Sequence, residues 1–311
     1  MRSATVTLTL FLAGSFAALP CSAQTGKPAA RGGESAVLVV VNGQNVTEAD
    51  LQRMLQTRQV PAESREKYRQ PFLEEMIDAR LIRQFLASKK IVADKKEVDR
   101  QVQQVMDLAA KRGSDADKAL REMGYTRESL REEFSLPLAW KRYFDGAVTP
   151  AQTQKFFSTH RAEFDGTQVR ASQIVLRVRS KEESDWEAAE GELRRLRKEI
   201  IEGKTSFEDA ARSHSQAPSK DRGGDLGFFP YSGKMPATFS HHAFQVKVGE
   251  ISEPFRDTFG VHLCQVVERK PGDLSLEDVR EEVLARQSQE LWKETVAEMR
   301  KTAKIDWKSK S

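Results

Sequence analysis

The chain has 311 residues, 39% of them hydrophobic and 31% charged, which is enough for two domains of ordinary size. These values exclude a wholly disordered, collagen-like or multi-span membrane protein. The 50 basic residues are interleaved with 46 acidic ones, leaving a net charge of +4. That reads as solvated helix faces and excludes the basic stripe of a nucleic-acid-binding protein.

Arg2 is the single charge before a mostly apolar run from Val6 to Leu19, and Cys21-Ser22-Ala23 follows. The run is interrupted by Thr7, Thr9, Gly14 and Ser15, and falls short of the roughly 20 apolar residues a spanning helix needs. Residues 1–23 are therefore expected to be a secretory signal cleaved after Ala23, without stable membrane insertion. A lipid-modified Cys21 is the minority alternative, disfavoured by Pro20 at a position that wants a small residue. Cleavage would leave Cys264 as the one cysteine, so neither an intramolecular disulfide nor a cysteine metal site is expected.

Residues 24–36, rich in Gly, Ala and Lys, are expected to be a flexible linker. Val37 to Val41 reads as a strand, Asn42-Gly43 as a hairpin turn, and Thr47 with Asp50 as a capping box. From Glu63 to Trp140 apolar residues recur at helical spacing, as in Phe72, Leu73, Met76, Ile77, Leu81 and Ile82. Asp94 and Thr126 start helices, Gly124 stops one, and Thr149-Pro150 opens another that carries Phe156 and Phe157. After Gly166 the pattern changes. Gln168 to Val178 alternates as a strand, Asp185 to Ile201 is a charged helix, and Thr205-Ser206 caps a short one. A Gly/Pro-rich loop from Ala217 to Gly227 leads to a helix near Phe239–Phe244 and a strand from Val261 to Glu268. Leu274 to Lys304 reads as one long helix whose stripe includes Leu276, Val283, Leu291, Trp292 and Met299. Such a stripe needs an apolar partner, and the first helices are the expected one.

GxSxG, HExxH, P-loop and GxGxxG signatures are absent. His241-His242 are adjacent, so their side chains diverge and make a poor metal pair. Neither metal nor cofactor is expected. The glycines of Gly223-Gly224-Asp225-Leu226-Gly227 suit a tight turn with positive φ.

The order Ala171-Ser172-Gln173-Ile174-Val175-Leu176, Ser206-Phe207-Glu208-Asp209-Ala210-Ala211 and Gly223 to Phe229 resembles the parvulin (PpiC, rotamase) family of peptidyl-prolyl isomerases. Met235, Phe239, Ala243-Phe244, Val248 to Pro254 and Phe259-Gly260-Val261-His262-Leu263 continue the resemblance over roughly 105 residues. The helical flanks resemble SurA-type and PrsA-type chaperones at Val41-Asn42-Gly43, Leu73 to Leu86 and Phe156 to Phe164. The resemblance implies an α+β class: a parvulin domain with a small antiparallel sheet, and an all-helical chaperone domain built from both ends of the chain. The expected partition is 37–166 helical, 167–270 parvulin, and 271–311 a C-terminal helix returning to the N-terminal one.

It further implies a proline pocket from Leu226, Met235 and Phe239 with Phe259 against it, and catalytic roles for His262 and Gln173. Three positions depart from the family pattern. Gln173 replaces its first histidine, Ala217 an Asp or Cys, and Asp257 a Ser or Thr. Gln173 is able to hydrogen-bond to His262 but not to change protonation state, so the polar half of the site is expected to be eroded and turnover slow. Two activities follow from the resemblance. One is isomerisation of X–Pro bonds in unfolded or nascent exported polypeptides; the other is a holdase that uses the domain as a peptide-binding platform in the periplasm or its equivalent.

Overall fold

The computed structural model describes residues 35–111, 115–122, 125–180 and 182–308. The expected signal, most of the linker, Cys21 and the Gly124 helix stop lie outside these residues.

Val37–Val41 (β1) and Gln44–Thr47 (β2) pair as a hairpin whose turn residues Asn42 and Gly43 take φ of 48° and 83°. Thr47 accepts from the Asp50 N–H while the Asp50 carboxylate takes the Thr47 N–H, and this box starts Glu48–Thr57 (α1). Arg65–Ser88 (α2), Lys95–Lys111 (α3), Ala116–Glu122 (α4), Arg127–Ala147 (α5) and Pro150–Thr159 (α6) follow, then the single turn Arg161–Phe164 (α7). Thr126 and Thr149 cap α5 and α6 through boxes with Ser129 and Gln152.

Gln168–Leu176 (β3) opens the second unit. After it come Glu183–Ile201 (α8), Phe207–His214 (α9), a 3-10 turn at Pro218–Arg222, and Asp225–Pro230 (β4). Ala237–Gln245 (α10), Phe255–Asp257 (β5) and Gly260–Lys270 (β6) complete it. The four strands form an antiparallel sheet in the order β4-β3-β6-β5. Leu276–Thr302 (α11) and Ile305–Trp307 (β7) end the described chain. The α+β class with a small antiparallel sheet and helical flanks, expected from the sequence, is the observed one.

The long C-terminal helix is a spine. Met299 joins the core made by Val39, Val41, Leu51, Leu55, Leu73 and Ile77. Leu291, Trp292 and Val296 pack with Ile82, Leu86 and Trp140, and Leu276 and Val283 with Phe157 and Phe164. The Trp140 Nε1–H donates to Ser288 Oγ at 2.9 Å, and Arg300 reaches the carboxylates of Asp78 (2.7 Å) and Glu74 (2.8 Å). Beyond α11 the chain does something the sequence pattern did not announce. β7 adds to the N-terminal hairpin as a third strand, antiparallel to β1, with Val39 opposite Trp307 and Val41 opposite Ile305.

The chain enters and leaves the α+β unit at one neck. The Gly272 N–H donates to Thr167 Oγ1 (3.0 Å) and the Leu274 N–H to the Asp165 carbonyl (3.1 Å). A Cβ on Gly272 would lie 1.9 Å from the Asp165 carbonyl oxygen, so the two passes approach more closely than a side chain allows.

Candidate active site

β3 and β6 form the central pair of the sheet, with Gln173 opposite Cys264 and Val175 opposite His262. The period of two sorts their side chains. Ile174, Leu176, Val261 and Leu263 face α8 and α9, where they are buried with Leu193, Leu196, Phe207 and Ala211. Ala171, Gln173, Val175, His262, Cys264 and Val266 lie on the other face. There Ala171, Cys264 and Val266 pack with Phe229 of β4, Phe239, Ala243 and Phe244 of α10, and Phe255 of β5.

Leu226 and Met235 are half-buried against this cluster, and Phe239 is only 1% exposed at its centre. Three of the four expected pocket residues therefore come together. The fourth does not join the buried group: Phe259 sits in the β5–β6 turn and is 59% exposed. The His262 imidazole is nearly parallel to the Phe255 ring (centroids 5.5 Å apart, 13°) and edge-on to Phe239 (5.9 Å, 69°). Phe255 also stacks on His242 at 4.0 Å. Two imidazoles and a phenyl ring thus form a continuous aromatic group beside the apolar cluster.

The polar side differs from the sequence expectation. Gln173 does not bond to His262; its Nε2 is 3.4 Å from Ser219 Oγ. In the register His262 stands two pairs further along β6 than Cys264, the partner of Gln173, so the two side chains are diagonal neighbours on one face and not directly opposed. Meanwhile the loop after α9 is drawn onto β3. Ser215 Oγ accepts the N–H groups of Val175 and Ala217, and the Gln216 N–H donates to the Val175 carbonyl. Gly224 closes the loop by accepting the Gln173 N–H at 3.0 Å. Its φ is 85° and a Cβ there would lie 2.4 Å from the Gln173 carbonyl oxygen, so this turn tolerates glycine alone. Asp225 is bidentate with Arg170, which holds its carboxyl below the usual carboxylate range. This acid is a strut of the turn.

His262 has a partner that the sequence reading treated only as a departure. Its Nε2 lies 2.8 Å from Asp257 Oδ1, and the two side chains are 6% and 3% exposed. The same oxygen accepts the Phe259 N–H at 2.7 Å. Burial pushes the His262 pKa down, and the carboxylate of Asp257 partly opposes that shift. Among the described residues His262 Nδ1, Asp257 Oδ2 and Ser240 Oγ are buried without a hydrogen-bond partner. A spacing of five residues across a tight turn between two strands was the available signal for the Asp257–His262 contact. It was hidden because β5 has only three residues and no alternation to display.

A small antiparallel sheet clothed by helices on both faces, with an apolar cluster beside a buried histidine, is the architecture expected of a parvulin-type rotamase domain. Residues 174–268 match the family model described as the PPIC-type PPIASE domain, and residues 1–143 match a SurA-like N-terminal domain. Each of these two segments is less than half of the chain, and each is similar to the domain its family model describes. The chain is similar to the foldase protein PrsA of Caldanaerobacter subterraneus subsp. tengcongensis, with 26% identity over 96% of this chain and 95% of that one. It also resembles the foldase protein PrsA of Halalkalibacterium halodurans, at 27% identity over 88% and 78%. The chaperone SurA of Albidiferax ferrireducens is 39% identical, over 38% of this chain and 25% of its own length. Among solved structures, PrsA from Bacillus anthracis aligns at 23% identity over 74% of this chain and 96% of that chain, with a TM-score of 0.43.

Proposed function

We propose that the protein is a peptidyl-prolyl cis–trans isomerase and foldase that acts on unfolded, exported polypeptides. The observation that carries this reading is the apolar cluster of Leu226, Met235 and Phe239, with His262 edge-on to Phe239, within a segment that matches the PPIC-type family model. Rotation about an X–Pro bond meets a barrier of about 20 kcal/mol and takes tens of seconds unaided. No covalent bond is made or broken, so no nucleophile is needed. The pocket has to hold the pyrrolidine ring while the preceding amide twists and loses its double-bond character, and to bind that twisted state more tightly than either planar one. Half-buried Leu226 and Met235, backed by the buried Phe239 ring, offer the apolar surface for the pyrrolidine. His262, neutral because it is buried, offers a polar edge beside it.

Gln173 and Ala217 leave two of the family's polar positions without titratable groups, and on that ground turnover is expected to be slow. An NMR exchange experiment on short X–Pro peptides tests this reading. Exchange accelerated by the full chain and suppressed in His262→Ala with peptide binding retained is the expected result. Acceleration no greater than buffer, with no peptide binding, would refute it.

A second reading, a holdase that docks peptides, draws on a different feature. A cleft of about 740 Å³ lies between α1, α2 and α5, lined by Met54, Met76, Phe134, Leu136 and Trp292 among charged residues. Suppression of aggregation by a His262→Ala variant at wild-type level would favour it. Export is inferred from the apolar run and Ala23 site at the N-terminus; among the described residues no helix is long and apolar enough to cross a membrane. Residues 167–270 are taken as the parvulin domain and 37–166 with 271–311 as the helical one.

A further inference from the structure

Asp257 ends β5, opposite Gly260 in the β5–β6 ladder, and one of its oxygens accepts both the His262 Nε2–H and the Phe259 N–H. Facing a carboxylate, the imidazole carries its proton on Nε2 and leaves Nδ1 as a bare lone pair. Phe255 lies nearly parallel to the ring and Phe239 edge-on to it, so the plane is confined as well. The two positions from which a polar partner was expected do not supply one. Gln173 turns to Ser219, and the Ala217 side chain has no polar atom. The other titratable ring on this side is His242, stacked on Phe255, while Arg256 is drawn away to Glu183 and Glu190. Among the described residues Asp257 is the one side chain hydrogen-bonded to His262.

We propose that Asp257 is the positioning residue of this site, fixing the tautomer and the plane of the His262 ring beside the proline pocket. It rests on the isomerase reading above. An acid missing from the loop at Ala217 is replaced by one that reaches the histidine from the opposite strand.

The test uses the full chain with Asp257→Ala and Asp257→Asn. Four quantities are read: 15N chemical shifts of the His262 ring, kcat/KM on an X–Pro peptide, affinity for a proline peptide, and the melting temperature as a folding control. In Asp257→Ala the ring is expected to become a mixture of tautomers, with kcat/KM falling about tenfold or more and affinity changing by less than about threefold. Asp257→Asn retains an acceptor oxygen, so it should keep the Nε2–H form and recover most of the rate. It should also move the His262 titration to lower pH, because the charge that favoured imidazolium is gone. If Asp257→Ala does not fold, that titration shift in Asp257→Asn decides the matter. An unchanged tautomer and a rate within about twofold of wild type in the alanine variant, or an unmoved titration in the asparagine variant, overturns the proposal. Wild type that neither isomerises nor binds proline peptides would remove the isomerase reading, and the ring spectra would still decide whether Asp257 orients His262.

Discussion

Phe239 touches both halves of the site, packing with Phe229 and Phe255 and meeting His262 edge-on. Phe239→Ala should cost about 3–5 kcal/mol of stability, the usual range for a buried phenyl ring, and should also weaken proline-peptide binding. Chemical denaturation and a binding isotherm at equal folded concentration separate the two effects. His262 gives a sign for acid. Its folded pKa lies below the ordinary histidine value of about 6.5, so it is neutral at higher pH and its burial is then unpenalised. As pH drops below about 6.5 the unfolded chain takes up the proton first, and stability is lost until the folded pKa is reached. Melts between about pH 7 and 5 should therefore fall more steeply for wild type than for His262→Phe. Cys264 is wholly buried, which pushes its thiol up to about 12. In a Cys21→Ser background it should not react with an aromatic disulfide reagent until the protein is unfolded, because the thiolate is the nucleophile. Of the apolar residues expected at the site, Leu226, Met235 and Phe239 do come together, whereas Phe259 stays exposed and Phe255 was not singled out. The polar half of the site was not legible. Sequence order gives no view of the β3–β6 register, which separates Gln173 from His262, or of the turn that swings Asp257 onto the ring.

Elements that announce themselves through local chemistry were readable, among them the Asn42-Gly43 hairpin, the threonine caps of α1, α5 and α6, and the stripe of α11. Those made by distant pairing were not, since β5 and β7 have three residues each and no periodicity of their own. β4 was hidden by the glycine and proline at Gly227 and Pro230. β7 supplies the least expected contact. The Asn42 N–H donates to the Lys304 carbonyl, the Lys304 N–H to the Asn42 side chain, and the Lys308 N–H to the Leu38 carbonyl. Truncation after Thr302 should leave β1 as an open edge and free the Asn42 amide to exchange with solvent. Hydrogen–deuterium exchange should show lost protection at Asn42 while amides of β3 and β6 keep theirs. Unchanged exchange at Asn42 would mean that the third strand adds nothing to the hairpin.

At the scale of the molecule the α+β unit is an insertion, tied to the helical part by the neck at Asp165–Thr167 and Gly272–Leu274 and by the contact of Ala162 with the β-sheet core. Gly272→Val should force the two passes apart. We expect separate melting of the two parts by calorimetry where wild type shows closer coupling, with the fold of the unit itself preserved. The helical part has the opposite construction from the unit, since the hairpin turn at Asn42, next to its first strand, waits for a partner met 262 residues later. On a ribosome that adds about 5–20 residues per second, that separation is roughly 13–50 s. For this interval Val39 and Val41 form a growing chain's half-finished edge, whereas the contiguous unit has every segment it requires once Lys270 has emerged, ahead of β7. The order of emergence therefore gives the inserted unit a head start, and the part that begins first is the last to close.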